Sequence, residues 1–222
     1  MPPCEFKACR KGSLLPAFSL IELLVVMAIV LALAGIAANG IFGSSQNARL
    51  TSRDRVKVKL QQARAHAIAT RNPTALIVPV GISGRYALRA MSLIEVEKID
   101  GRYVPMENEN GDTALVQRWT ALPGNFHFVT NRMIGSEQPT VVDLENTLTI
   151  RQRGNEIDCH MIVFAPNGQI AWPSSGSPIH IAIAQVAGNR NSFRISEISN
   201  EKPVFDLLLV NRLTAQTRSI KP

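Results

Sequence analysis

The 222-residue chain reads as an α+β fold, a long N-terminal hydrophobic helix packed on a C-terminal antiparallel β-sheet domain. Three observations predict it. Phe18 to Ala38 is an almost unbroken apolar run. Asn47 to Asn72 carries apolar residues at helical spacing. From Thr74 onward, short β-branched or alternating runs take over, separated by turn residues. Hydrophobic residues make up 45% of the chain and charged residues 18%, which excludes a disordered class and leaves material for one medium domain plus a terminal segment.

The N-terminal segment comes first. Residues 1–17 are short and polar, with Lys7, Arg10 and Lys11 against Glu5. Between Phe18 and Ala38 the only clearly polar side chains are Ser19 and Glu22. About twenty apolar residues cross a bilayer as a helix, so 18–38 is expected to be transmembrane. The positive charge ahead of it predicts a cytoplasmic leader and an external remainder. An ordinary secretory signal shares the basic start and the apolar core. Its core is shorter, however, and has no use for a carboxylate, which costs roughly 2.5–3.5 kcal/mol to place in lipid.

The stretch Ala17-Phe18-Ser19-Leu20-Ile21-Glu22-Leu23-Leu24-Val25-Val26 resembles the cleavage and methylation signal of type IV prepilins and type II secretion pseudopilins. The resemblance implies a leader peptide at 1–17 and a cut by prepilin peptidase between Ala17 and Phe18. It further implies N-methylation of Phe18 and a role for Glu22, fifth in the mature chain, in pairing with the N-terminal amine of a neighbouring subunit. Glycine usually precedes the cut in that family; here Ala17 stands there. A freed amine in an apolar setting is a buried cation, and a nearby carboxylate neutralises it. The implied partners are prepilin peptidase, other pilin or pseudopilin subunits and inner membrane lipid. The implied localisation is a single-pass inner membrane protein with its C-terminal domain in the periplasm, moving into a pilus or pseudopilus on assembly.

The second helical stretch spans 45–72 in a helical region expected over 18–72. Gly35, Gly40 and Gly43 weaken the helix between the two, each by about 1 kcal/mol against alanine. Val56, Leu60, Ala63 and Ala67 form its apolar stripe, and Arg49, Arg53, Arg55, Lys57, Lys59, Arg64 and Arg71 make it basic. Most of the net charge of +7 sits there. A solvated or interfacial helix face is one use of this charge. A weak nucleic-acid contact through Arg49–Arg71 is the other, although no aromatic side chains interleave to stack on bases.

Pro73 stops the helix, and 73–222 is expected to be the β-rich domain. Its strands include "TALIVPV", "LIEVEKI", "LTIRQR", "MIVFA", "IHIAIAQV" and "VFDLLLV". Asp100-Gly101 and Asn167-Gly168 mark tight turns, and Pro79 and Pro105 suggest edge strands. The run "ARAHAIATRNPTALIV", followed in order by "RWTALPGNFHF", "FAPNGQIAW" and "LLLVNRLTAQTRS", resembles the GspH/FimT-like minor pseudopilins.

The search for chemistry returns little. His66, His127, His160 and His180 are scattered with no metal-ligand spacing, and no nucleophile, phosphate or dinucleotide motif occurs, so we expect no catalytic residues, metal or cofactor. Cys159 reads as a small buried hydrophobe. The loop 107–113, "ENENGDT", holds calcium-type oxygen ligands without full EF-hand spacing and reads as an exposed loop. The leading function is therefore a structural filament subunit. An adhesion or DNA-binding module on such a filament, and a periplasmic enzyme with an ordinary signal, are the alternatives.

Overall fold

The computed structural model describes residues 20–42, 44–80, 87–137, 139–143, 147–174, 178–187, 194–196, 198–199 and 202–220. It separates into two compact units, Met1–Ser44 and Ser45–Pro222. The first contains helix α1 (Leu20–Phe42), which runs continuously through Gly35 and Gly40; Gly43 lies outside the described residues.

The second unit holds α2 (Ser44–Thr70), all but its first residue, and, among the described residues, fourteen strands. In chain order these begin with β1 (Thr74–Pro79), β2 (Ala90–Ile99), β3 (Arg102–Pro105), β4 (Leu115–Ala121) and β5 (Phe126–Phe128). A single turn, α3 (Asn131–Ile134), precedes β6 (Thr147–Gln152), β7 (Asn155–Phe164), β8 (Ile170–Trp172) and β9 (Ile179–Ala187). The chain closes with β10 (Arg194–Ile195), β11 (Ile198–Ser199), β12 (Lys202–Pro203), β13 (Phe205–Val210) and β14 (Thr217–Ile220). One sheet has the order β3-β2-β1-β7-β6, with β4 also on β2 and β8 on β7. The other has the order β10-β9-β13-β14, with β5 on β9; β11 and β12 form a separate ribbon. All these pairings are antiparallel.

Strand alternation sorts the apolar side chains into three clusters. Leu76 and Val78 of β1 face a central core that also holds Phe164, Phe128, Ile181 and Leu208. α2 contributes Val56, Leu60, Ala63 and Ala67 to it, the stripe read from helical spacing, each fully buried. Ala75 and Ile77 face the opposite side of the same sheet, with Ile94, Cys159 and Met161. All six residues of β1 are consequently buried, which explains its unbroken apolar run. A third cluster on the outer face of the second sheet gathers Val129, Ala182, Ala184 and Val186 with Ile134 of α3.

Turn chemistry follows the residues. Asp100 and Gly101 both take positive φ, 50° and 82°, joining Ile99 to Arg102 in a two-residue hairpin. Pro105 lies on β3, an edge of its sheet. Pro79 does not mark an edge: β1 is central, and Pro79 is its last residue, where a missing N–H costs least. α2 stops at Thr70, two residues short of the expected end, because Arg71 turns left-handed at φ 59° ahead of Pro73. The C-terminal strand β14 was not among the expected runs; its "TRSI" lacks a hydrophobic alternation of its own.

Two expectations are corrected. The described residues are mostly antiparallel sheet, which overturns the expected fold of a long N-terminal hydrophobic helix packed on a sheet domain. The helix that covers the sheets is the basic α2, because four small or medium apolar residues on one face fill the space between the sheets while the other face meets water. In addition, no helix among the described residues is long and apolar enough to cross a membrane. The transmembrane span at 18–38 and the single-pass inner-membrane, periplasmic localisation therefore do not stand.

Candidate functional site

Of the expected site residues, Ala17 and Phe18 lie outside the described residues. Glu22 lies in the first turn of α1, where the helix dipole favours a carboxylate. Around it, Leu20 to Leu31 are twelve consecutive exposed residues, eleven of them apolar. Leu20 is 82% exposed and Leu31 70%. The residues are apolar on every side of the helix rather than along one stripe, which is the character of a helix that other protein surrounds.

The basic face of α2 has a use that sequence reasoning missed. Arg49 donates from Nε to Asp206 Oδ2 at 2.8 Å and from Nη2 to Asp206 Oδ1 at 3.0 Å, and also reaches the Phe205 carbonyl at 3.2 Å. Arg55 donates to the Ala121 carbonyl at 2.7 Å. Lys59 donates to Gln117 Oε1, and burial holds its ammonium below the ordinary lysine range. Arg64 donates to the Thr214 carbonyl at 2.5 Å. Four of the seven cations thus fasten the helix to β4, to β13 and to the turn before β14. Arg53 pairs along the helix with Asp54 at 3.5 Å. The signal for this docking was absent from the local sequence, because the acceptors, carbonyls and side chains alike, lie at least 58 residues away along the chain.

The histidines do not converge. His66 Nδ1 lies 3.1 Å from Thr74 Oγ1, and its Nε2 lies 3.6 Å from Glu95, so it bridges α2 to β1 and β2. His127 is held below the ordinary histidine value by burial; a hydrogen bond with the Asn125 carbonyl opposes this and Arg89 adds to it. Burial lowers His180 as well. Cys159 is fully buried and its thiol is pushed up to about 12, first by burial and then by the Asp158 charge, so no thiolate is available near neutral pH. In the 107–113 loop, Asn108 Oδ1 accepts the Asn110 and Asp112 amides at 3.0 and 3.1 Å. Its side-chain oxygen is thereby spent on shaping the turn. Among the described residues no three His, Cys, Asp or Glu side chains gather as a metal site.

No protein-family model, no curated protein and no solved structure matches the chain.

Proposed function

We propose that this chain is a structural subunit of a helical filament, in which α1 of one copy is covered by α1 of its neighbours. Within that class it is a minor pilin or pseudopilin of GspH/FimT-like character, processed by prepilin peptidase and assembled into a type IV pilus or a type II secretion pseudopilus. The observation that carries the reading is the exposed run Leu20–Leu31, apolar all round except for Glu22. Such a surface is stable only when covered, and like helices stacked side by side cover one another. In the resemblance that motivates this reading, the amine released by cutting after Ala17 on the adjacent copy pairs with Glu22, since a carboxylate neutralises a cation in an apolar setting. The docking of α2 is compatible with the reading: Arg49, Arg55, Lys59 and Arg64 fasten it to the β domain. The nucleic-acid reading of Arg49–Arg71 has less support, since those four side chains are engaged.

The experiment is co-expression with and without a prepilin peptidase, followed by sequencing of the mature N-terminus. A chain that begins at methyl-Phe18 only when the peptidase is present is the expected outcome. A start inside Ala32–Asn39, or an uncut chain, sinks the proposal.

A further inference from the structure

The β domain contains a feature that the filament reading does not use, an open bowl of about 1100 Å³ beside β4 and the β6–β7 hairpin. Leu115, Trp119 and Ile157 supply its apolar wall. Trp119 is half-buried and held in place, its Nε1 donating to Gln152 Oε1 at 2.9 Å. Gln152 and Asn155 add side-chain amides to the lining. The charged groups fall into two sets. Glu156 is paired with Arg151 at 3.3 Å. Among the described residues, no hydrogen bond or ion pair engages the side chains of Arg118, Arg153 or Asp112, which also line the bowl.

The bowl is larger than a typical small-molecule pocket of about 300–1,000 Å³, so it suits a ligand of several units. A fixed indole offers a broad apolar surface at low entropic cost, and planar amides both donate and accept. That combination fits sugar rings, each with an apolar C–H face and a rim of hydroxyls. Two unengaged guanidiniums against one carboxylate add a preference for a carboxylate, which a guanidinium fork grips with two parallel hydrogen bonds. The same balance is too weakly positive for a run of phosphates. A peptide adding as a strand at this end of β6 meets an occupied backbone: Thr113 N donates to the Arg151 carbonyl at 2.8 Å, and Arg151 N donates to Thr113 Oγ1 at 3.0 Å.

We propose that this bowl binds an oligosaccharide bearing a carboxylate, with a sugar ring on Trp119 and the carboxylate on Arg118 and Arg153. The assignment stands apart from the filament reading and survives its failure.

The test uses the full chain carrying Trp172→Phe, which leaves Trp119 as the single tryptophan, since the chain has two; its emission is excited selectively on the red edge, beyond tyrosine absorption. Tri-galacturonic acid, sialyllactose and a glucuronate-terminated disaccharide are titrated, with galactotriose and tri-glutamate as controls. At least one acidic saccharide is expected to change Trp119 emission with a Kd at or below about 1 mM, and galactotriose to bind at least about tenfold more weakly. Arg118→Gln with Arg153→Gln should weaken the acidic saccharide by about tenfold or more, with an unchanged thermal melt. Each single variant is measured too, so that a failure of the double variant to fold does not hide the effect. The proposal is overturned when all three acidic saccharides leave emission unchanged at about 10 mM, or when the arginine variants bind as tightly as the parent. Equal binding of tri-glutamate also overturns it and reassigns the bowl to acidic peptides.

Discussion

Arg49 and Asp206, separated by 157 residues, meet through two parallel hydrogen bonds of 2.8 and 3.0 Å that tie α2 to β13. The two partners are not equally placed. The Asp206 side chain is 8% exposed, whereas the Arg49 side chain retains 26% of its surface. Removing the arginine therefore leaves a buried carboxylate without its cation, and removing the aspartate leaves a guanidinium that reaches water. We expect Arg49→Ala to cost about 3 kcal/mol and Asp206→Ala about 1 kcal/mol, following the penalty for an uncompensated buried charge. Urea denaturation of both single variants and the double variant checks this. The double variant should lose less than the sum. A larger loss for the aspartate change would reverse the argument.

Gly168 sits where α2 presses on the turn between β7 and β8. A Cβ there falls 2.8 Å from Ile68 Cδ1 and 2.9 Å from Arg64 Nε, and its φ is +78°. Gly101 shares the positive φ, +82°, with nothing within 4 Å. Gly101→Ala is expected to cost about 1–2 kcal/mol from backbone strain alone. Gly168→Ala should cost roughly 1–3 kcal/mol more, the usual overpacking penalty. Paired thermal melts decide. Equal losses at the two positions would mean that Ile68 and Arg64 move aside without cost.

Leu60 is fully buried where α2 meets the inner faces of both sheets, while Leu50 on the same helix is 48% exposed. Leu60→Ala should cost about 3 kcal/mol, within the range for deleting a buried leucine. Leu50→Ala should stay within about 0.5 kcal/mol, as surface changes do. Denaturation midpoints at constant slope separate the two.

Cys159 sets a pH dependence. Its folded-state thiol is raised to about 12, whereas an unfolded chain releases the proton near 8.5. The protonated thiol therefore contributes stability that is complete below about pH 8.5 and is lost as pH rises from there toward 12, by at most about 1.4 kcal/mol per unit. In a Cys4→Ser, Cys9→Ser background, stability measured at pH 8 and pH 10 should show this fall, and Cys159→Ala should remove that component. Thiol labelling at pH 8 should be slow in the folded chain and fast in urea. Rapid labelling of the folded chain would contradict the burial.

On the proposed filament reading, Glu22 acts in assembly rather than in folding of the β domain. Glu22→Val should preserve cleavage after Ala17 and the melting of the domain while abolishing filaments, read by electron microscopy and sedimentation. Glu22→Gln, which keeps the shape and loses the charge, should behave like Glu22→Val. Filaments from either variant at parental yield would refute the amine-pairing role.

Much of this molecule was legible in its residues. The stripe Val56, Leu60, Ala63 and Ala67 announced the buried face of α2, because helical spacing alone places these residues on one side. Asp100-Gly101 announced its hairpin because few other pairs tolerate two positive φ angles. The runs that became β1, β6, β7, β9 and β13 carried the β-branched residues of a pleated surface.

Other features depended on distant partners. Pro79 looked like an edge residue and ended a central strand, since neighbours β2 and β7 are chosen by the whole sheet rather than by the residue. The cations of α2 suggested a face for water or nucleic acid, yet four of them anchor the helix to carbonyls and side chains of β4, β13 and the turn before β14. The bowl around Trp119 draws on two separate stretches of chain, 108–119 and 152–157, neither with a motif of its own. Local spacing determines which side chains share a face. Only the closed packing of two sheets and α2 decides what that face meets, because pairing energies are set by atoms that sequence order leaves far apart.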